Sequence, residues 1–275
     1  MPDIKFSVSM CVYGKDNPDW FKTAVDSILN QTKKPDEVVL VVDGPVPDEL
    51  NKVIIEFENN PVFKVVRLKE NRGHGEARRT GLEKCSCELV ALMDADDISA
   101  SDRFEKQLAM FQKDPKLTIV GGNITEFVDE PDNIVGARVV ETEDSAIKDD
   151  MKIRCPLNQC TVMFRKSFVD SVGGYVDWFC NEDYFLWVRL MLKDARFANI
   201  PDYLVNVRVG KELYQRRGGK KYFLSEAKLQ KYMLDNKIIN FATFTVNVAK
   251  RFIVQILLPN KLRSWVFQKF ARKTV

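Results

Sequence analysis

Short apolar runs alternate with helix-length segments through the first 112 residues, and no other feature of the chain restricts its fold as strongly. Strand-like runs lie at Phe6–Val12, Glu37–Val42, Phe63–Leu68 and Leu89–Met93, and the intervening patterns predict helices near Pro18–Asn30, Asp48–Asn59, Gly75–Lys84 and Asp102–Gln112. Apolar runs of this length are too short for buried helices and suit strands covered on both faces. Strands joined by helical crossovers lie parallel, so the reading is an α/β fold with a mainly parallel central sheet covered by helices. The last of these helices is expected to open on a capping box, Asp102 with Glu105 three residues on.

In such sheets ligands bind beyond the carboxyl ends of the strands. The first run ends at Tyr13-Gly14, the second at Asp43-Gly44, and the fourth breaks into Asp94, Asp96 and Asp97. Like charges crowded at one strand tip raise one another's pKa, so they need a cation or a donor-rich ligand. Any one of these acids could be a solvated turn former. Collected along one rim, they favour a site. With His74 as the single histidine and six cysteines that form no Cys-x-x-Cys pair, zinc is disfavoured. Oxygen ligation points to Mn²⁺ or Mg²⁺, and the cysteines read as free thiols in a reducing compartment. A net charge of +3, from 42 basic and 39 acidic residues, argues against a nucleic-acid partner. Met1–Phe6 leads into a strand without the pattern of a secretory signal, so a cytoplasmic protein is expected.

Two further segments carry chemistry. Gly73 and Gly75 hint at a dinucleotide loop, but Arg78 stands where the third glycine belongs and the segment follows the third strand, which argues against a dehydrogenase. Arg78 and Arg79 are expected to balance the acids or hold a phosphate, the alternative being solvated helix charges. Downstream, Asn181 is expected to cap a buried helix with Glu182 and Asp183 in its first turn, where they suit the helix dipole. Trp178, Phe179, Tyr184 and Trp187 read first as core and second as a platform for a sugar.

In this order, "FSVSMCVYG", "SILNQTKKPDEVVLVVDG", the Asn-x-Gly…Ala-Arg…Gly segment, "ALMDADDIS…RFEKQ", "TVMFRKS", "VGGY", "NEDYFLWVRL" and "RRGG" resemble a family 2 glycosyltransferase of the GT-A fold, of the bacterial capsule and O-antigen type. The resemblance covers residues 4–219 and implies an inverting transfer from a UDP-sugar, hexose or N-acetylhexosamine, to a polyprenyl-diphosphate-linked glycan. By it, Asp43 contacts uracil, with Tyr13 beside the nucleotide. Arg78 supports the nucleotide pocket, Asp94 touches ribose and the metal, Asp96 binds Mn²⁺ or Mg²⁺, and Arg216 and Arg217 close over the diphosphate. Asp97 is a helper beside them. Asp183 matches the catalytic base, with Glu182 beside it, and Asn158, Gln159 and Trp178 fall where sugars bind. Relatives often carry Asn-His before the "TVMF" strand; here the order is Asn158-Gln159-Cys160, which leaves the base assignment intact and puts the sugar preference in doubt.

From Asn236 to Val275 there is no acid, while Lys237, Lys250, Arg251, Lys261, Arg263, Lys269, Arg272 and Lys273 are basic. Phe241, Phe244, Val248, Phe252 and Ile256 recur at helical spacing, and Leu262, Trp265 and Val266 continue the pattern beyond Pro259. Residues 1–219 therefore read as the catalytic domain and 220–275 as basic amphipathic helices that lie on the anionic inner leaflet of the plasma membrane without spanning it. Packing of this face on the catalytic domain, or on a second subunit in a homodimer, stays open. So do two other functions. A sugar-1-phosphate nucleotidyltransferase would need a Gly-x-Gly-Thr-Arg loop where Val12–Asp16 stands. A non-catalytic nucleotide- or membrane-binding module would not need Asp94, Asp96 and Asp183.

Overall fold

The computed structural model describes residues 4–210, 218–259 and 262–263. In chain order the first half comprises β1 (Phe6–Tyr13), α1 (Pro18–Leu29), β2 (Glu37–Asp43), α2 (Asp48–Glu58), β3 (Phe63–Arg67), α3 (His74–Lys84), β4 (Leu89–Met93), β5 (Ile98–Ser99) and α4 (Arg103–Lys113). Then follow β6 (Ile119–Phe127), β7 (Ile134–Arg138), α5 (Asp144–Met151), β8 (Met163–Arg165), α6 (Lys166–Asp170), α7 (Glu182–Leu192), β9 (Phe197–Arg208), α8 (Lys220–Asp235) and α9 (Phe241–Phe252). The eight segments expected in the first half are present, with ends shifted by a residue or so.

The sheet order is β3-β2-β1-β4-β8-β6-β9-β5, with β7 added on β6. The first four strands pair in parallel, as crossover helices require. Beyond β4 the sheet is mixed: β8 runs antiparallel to β4 and β6, and β9 parallel to β6. Register aligns Tyr13 with Asp43 and Met10 with Met93, so β1, β2 and β4 end on one edge.

Side-chain alternation divides the core. Phe6, Val8 and Met10 of β1, with Leu40 and Val42 of β2, pack under Phe21 and Ile28 of α1, Ile54 of α2 and Phe104 of α4. Val39, Val41, Val90 and Leu92 face the other way, onto Ala77 and Leu82 of α3, Trp187 of α7 and Leu229 and Met233 of α8. Each fully buried aliphatic or aromatic side chain contributes about 1.5–3 kcal/mol, which fixes register because a one-residue slip would expose the whole set. At Gly81 a Cβ would stand 2.5 Å from Ser9 Oγ, so glycine lets α3 lie directly on β1.

Among these first-half helices one start differs from expectation. Asn17 caps α1 through side-chain bonds from Asp19 N and Trp20 N, at 2.9 and 3.1 Å, with Pro18 behind it. The capping box at Asp102 does not form: its carboxylate pairs with Lys106 at 2.8 Å, and Glu105 accepts from Thr32 Oγ1 at 2.8 Å. An i,i+4 ion pair for Asp102 and a distant hydroxyl for Glu105 won over the cap.

The C-terminal helices also depart from simple amphipathic expectation. On α9 polar residues face the protein alongside Phe244, which packs on the core. Asn247 Nδ2 donates to Gln230 Oε1 (2.8 Å) and Lys152 O (2.9 Å), Arg251 pairs with Glu226 (2.7 Å), and Gln255 in the following π-helical turn Ile253–Leu257 donates to Glu226 (2.7 Å). Phe244 and Val248 are half-buried, whereas Phe241, Val246, Phe252, Ile253 and Leu257 are exposed. Leu262 is exposed too, while Trp265 and Val266 lie outside the described residues. Among the described residues no helix is long and apolar enough to cross a membrane.

Candidate active site

The parallel strands deliver their acids to one rim, and each acid has its own surroundings. Asp43, at the end of β2, is buried; its carboxylate accepts from the backbone N–H groups of Arg72 (2.7 Å) and Gly73 (3.0 Å) and so anchors the loop ahead of α3. Gly44 follows at φ +86°, where a Cβ would collide with Asn71 N at 2.5 Å. Tyr13 is 40% exposed on the same edge.

Asp94 leaves the tip of β4 and accepts from Arg78 Nη2 at 2.6 Å. Burial alone would weaken the Arg78 cation, but the facing carboxylate of Asp94 raises its pKa, so the guanidinium stays charged. Arg79, one residue on, points elsewhere and pairs with Glu76 and Glu83 on the surface. Of the two arginines, Arg78 alone meets the acids.

Asp96 is half-exposed, whereas Asp97 turns inward, where its Oδ1 accepts from Arg208 N at 3.0 Å. Burial first, then the charges of Asp96 and Asp94, push the Asp97 carboxyl well above its usual range. One oxygen from each of Asp94 and Asp97 lies within 4.8 Å of the other and of Cys160 Sγ. Burial and the neighbouring charges of Asp97 and Asp94 raise the Cys160 thiol as well. The two carboxyl groups offer the oxygen donors that a hard divalent cation takes.

A cavity of about 880 Å³ opens beside this rim and joins Asp94 to Glu182 and Asp183, with Asn158, Gln159 and Trp178 on its wall. Asp183 Oδ1 accepts from Tyr184 N at 2.6 Å. Its pKa is raised to about 6 by burial and then by the charge of Glu182. Glu182 goes the other way: burial opposes its ionisation, but the hydrogen bond from His74 Nδ1 (3.2 Å) holds its pKa below the usual range. Two adjacent carboxyls are thereby driven apart, one a fixed anion and the other a base poised near neutrality.

His74 links the two halves of the site. Arg78 Nε donates to its Nε2 at 2.8 Å, which leaves the proton on Nδ1 for Glu182 and completes a chain from Asp94 through Arg78 and His74 to Glu182. Asn181 begins α7 but makes no side-chain cap; its amide donates to Ser225 Oγ at 3.1 Å and ties the site to α8.

The remaining expected residues are placed as follows. Asn158 is buried, donating to Gly122 O (2.8 Å) and accepting from Arg138 (2.9 Å), and Gln159 reaches Tyr175 Oη at 3.5 Å. Trp178 behaves as core: its indole donates to Ser225 O, and its ring lies 4.0 Å from that of Phe185 with Lys228 Nζ 4.1 Å away. Arg216 and Arg217 lie outside the described residues.

Two supports went unread in the sequence. Fully buried Arg103 donates to Leu92 O (2.8 Å) and Gln107 (3.1 Å), and Gln107 passes the link to Thr161 O (2.7 Å) and Val120 O (3.1 Å). Burial lowers the Arg103 pKa to about 10. Arg208, at the end of β9, donates from Nε to Asp96 O (3.3 Å) and lies 4.4 Å from the Trp20 ring. Both fasten the acidic loop. The only signal for Arg103 was an arginine four residues before a glutamine in "RFEKQ"; nothing marked Arg208.

The family model for glycosyl transferase family 2 matches residues 7–171. The chain is 36% identical to an Escherichia coli UDP-Gal:alpha-D-GlcNAc-diphosphoundecaprenol beta-1,3-galactosyltransferase over 98% of this chain and 97% of that protein. Among solved structures, Staphylococcus aureus TarS 1-349 in complex with UDP-GlcNAc superposes with a TM-score of 0.67 at 17% identity, over 97% of this chain and 76% of TarS 1-349. A Pyrobaculum calidifontis mannosyltransferase, PcManGT, in complex with GDP-Man and Mn²⁺ gives 0.62 at 17% identity, over 94% of this chain and 71% of the other. At such identities these two likenesses establish a shared GT-A fold.

Proposed function

Because the chain belongs to glycosyl transferase family 2, we propose that it moves one hexose or N-acetylhexosamine from a UDP-sugar to a hydroxyl of a polyprenyl-diphosphate-linked glycan, with inversion at the anomeric carbon. That it is a glycosyltransferase of the polysaccharide-biosynthesis type follows from the family and the relatives, and the nucleotidyltransferase and non-catalytic readings fall away. The observation that carries the finer reading is the shared cavity, in which Asp94 at the nucleotide end faces Asp183, a carboxyl with pKa raised to about 6.

Asp43, Tyr13 and Arg78 hold the nucleotide in this reading. Asp94 and Asp96, with Asp97 whose oxygen lies within 4.8 Å of that of Asp94, are the residues to hold a Mn²⁺ or Mg²⁺ ion, which when bound supplies positive charge against the UDP leaving group. Arg78 adds a fixed cation in a water-poor position, where it acts on developing charge without reorganising. Asp183 takes the proton of the acceptor hydroxyl as attack proceeds from the face opposite UDP. Glu182, fixed as an anion by His74, keeps Asp183 basic enough to do so. Asn158 and Gln159 line the sugar side.

Residues 1–219 are the catalytic unit in this reading, and 220–275 settle it on the cytoplasmic face of the plasma membrane, where such an acceptor resides. A screen of UDP-sugars against a synthetic lipid-diphosphate-linked monosaccharide tests the proposal. Release of UDP with a β-linked product from an α-linked donor is expected; a retained anomeric configuration, or no turnover with any UDP-sugar, would overturn it.

A further inference from the structure

The cavity does not end at the catalytic carboxyls. It continues to α9 and the segment after α5, where Arg154, Lys250, Arg251 and Val254 form its wall. Direct bonds hold the helix to the segment after α5: Arg251 Nη2 donates to Ile153 O at 2.8 Å and Asn247 Nδ2 to Lys152 O at 2.9 Å, and Arg154 and Lys250 line the same cavity. Their charges are not equally engaged. Arg251 is committed to Glu226 at 2.7 Å, and Arg154 Nε is shared between the two oxygens of Asp150 at 2.9 and 2.8 Å. Lys250 is exposed and has no carboxylate partner among the described residues.

The same helix is apolar on its outward side. Val246, Ile253 and Leu257 are 50%, 50% and 60% exposed, spaced seven and four residues apart, while Asn247 and Gln255 are buried. A helix that turns its polar stripe to the protein and its apolar stripe outward has its burial still to come. Ile153, 55% exposed and bonded through its carbonyl to Arg251, adds an apolar side chain to the cavity wall.

We propose that Arg154 and Lys250 bind the diphosphate of a lipid-linked acceptor while the outward face of α9 lies on the lipid that carries it. The proposal rests on the transferase reading and deepens it by assigning the acceptor's charged linkage to a place. Lys250 lines the cavity and shares the stripe of Val246, Ile253 and Leu257, so a cation stands where the cavity meets the apolar face, which is the order of groups in the ligand itself: sugar, diphosphate, hydrocarbon. Charge selects lipid over a second copy of the chain as occupant of the apolar face. No acid occurs from Asn236 to Val275, and among the described residues of that segment Lys237 and Lys250 are exposed cations, so two copies would bring like charges together while an anionic leaflet attracts each.

The test uses the full chain saturated with UDP and Mn²⁺, so that the nucleotide site is filled, and titrates it with a short prenyl diphosphate. Arg154→Gln with Lys250→Glu is expected to raise the Kd for the prenyl diphosphate at least tenfold without changing that for UDP, whereas the charge control Lys52→Glu on α2 changes neither. An unchanged Kd in the double variant overturns the proposal, as does inorganic diphosphate binding as tightly as the prenyl form, because an unselective anion site is not an acceptor site. In a second arm, Ile253→Ser with Leu257→Ser is expected to cost at least tenfold in binding to vesicles containing phosphatidylglycerol. A lipid-free dimer dissociated by those two substitutions would give the face to a second copy and refute the lipid assignment. Failure of the transferase reading shows separately, as absence of UDP release from every UDP-sugar, while the binding measurements still decide this one.

Discussion

Replacing Asp183 by Asn tests whether this residue is a proton acceptor or a helix-start acid, because the two roles predict opposite changes. Asn keeps the Oδ1 that accepts from Tyr184 N at 2.6 Å and keeps the side-chain volume, but it cannot take a proton. Turnover should fall by roughly two to four orders of magnitude, the usual worth of a positioned general base. In the native protein burial, Glu182, Arg78 and Arg138 together set the pKa at about 6. About 90% of Asp183 is then ionised at pH 7 and about 10% at pH 5, so kcat/KM should drop roughly ninefold across that interval. The residual activity of Asp183→Asn should lack this step.

Stability moves the other way. An unfolded aspartate releases its proton near 3.8, the folded one near 6, so between those values the native state binds more protons and stability falls as pH rises. Ionised Asp183 therefore costs the fold about 1–3 kcal/mol above pH 6, and Asn removes that cost. The variant should melt at or above the native temperature at pH 7.5, whereas a helix-dipole role would predict a loss of about 0.3–1 kcal/mol. Rates of UDP release across pH 4.5–8.5, paired with thermal melts, decide between them. Near-normal turnover, or a lowered melting temperature with an unchanged pH profile, would refute the argument.

Other expectations concern the rim. EDTA should stop transfer and Mn²⁺ or Mg²⁺ restore it, with Asp96→Ala inactive at every metal concentration; full activity in chelator would remove the metal from the site. Arg78→Lys keeps the charge but cannot bridge Asp94 and His74 as the guanidinium does, and calorimetry should show UDP binding weakened about tenfold or more. Arg103→Met leaves Leu92 O and Gln107 Oε1 without their donor, and urea denaturation should register a loss of about 2–4 kcal/mol.

What could be read from residue order was what depends on local pattern. Apolar runs of strand length between amphipathic stretches are enough to place eight elements, and crossover handedness then brings the ends of β1, β2 and β4 to one edge, so Asp43 and Asp94 were assignable to a common rim before any coordinates. The order of motifs identified the family for the same reason, since each motif sits at a strand end or helix start whose position the pattern already constrained. Local pattern failed where a distant partner outbid a near one. Glu105 stands at the capping spacing yet accepts from Thr32, and Asn181 serves Ser225 in place of its own helix. The antiparallel half of the sheet depends on pairings such as Ala91 with Met163, across which no periodicity reaches. So does the division of labour among the acids: Asp96 and Asp97 are neighbours in sequence, but the inward turn to Arg208 buries one and leaves the other at the surface. The orientation of α9 was beyond reach for an energetic reason. A helix with one apolar and one polar face can be docked either way round, and the outcome followed Gln230, Glu226 and Lys152 O, which take hydrogen bonds from Asn247, Arg251 and Gln255 while Phe244 packs on the core beside them.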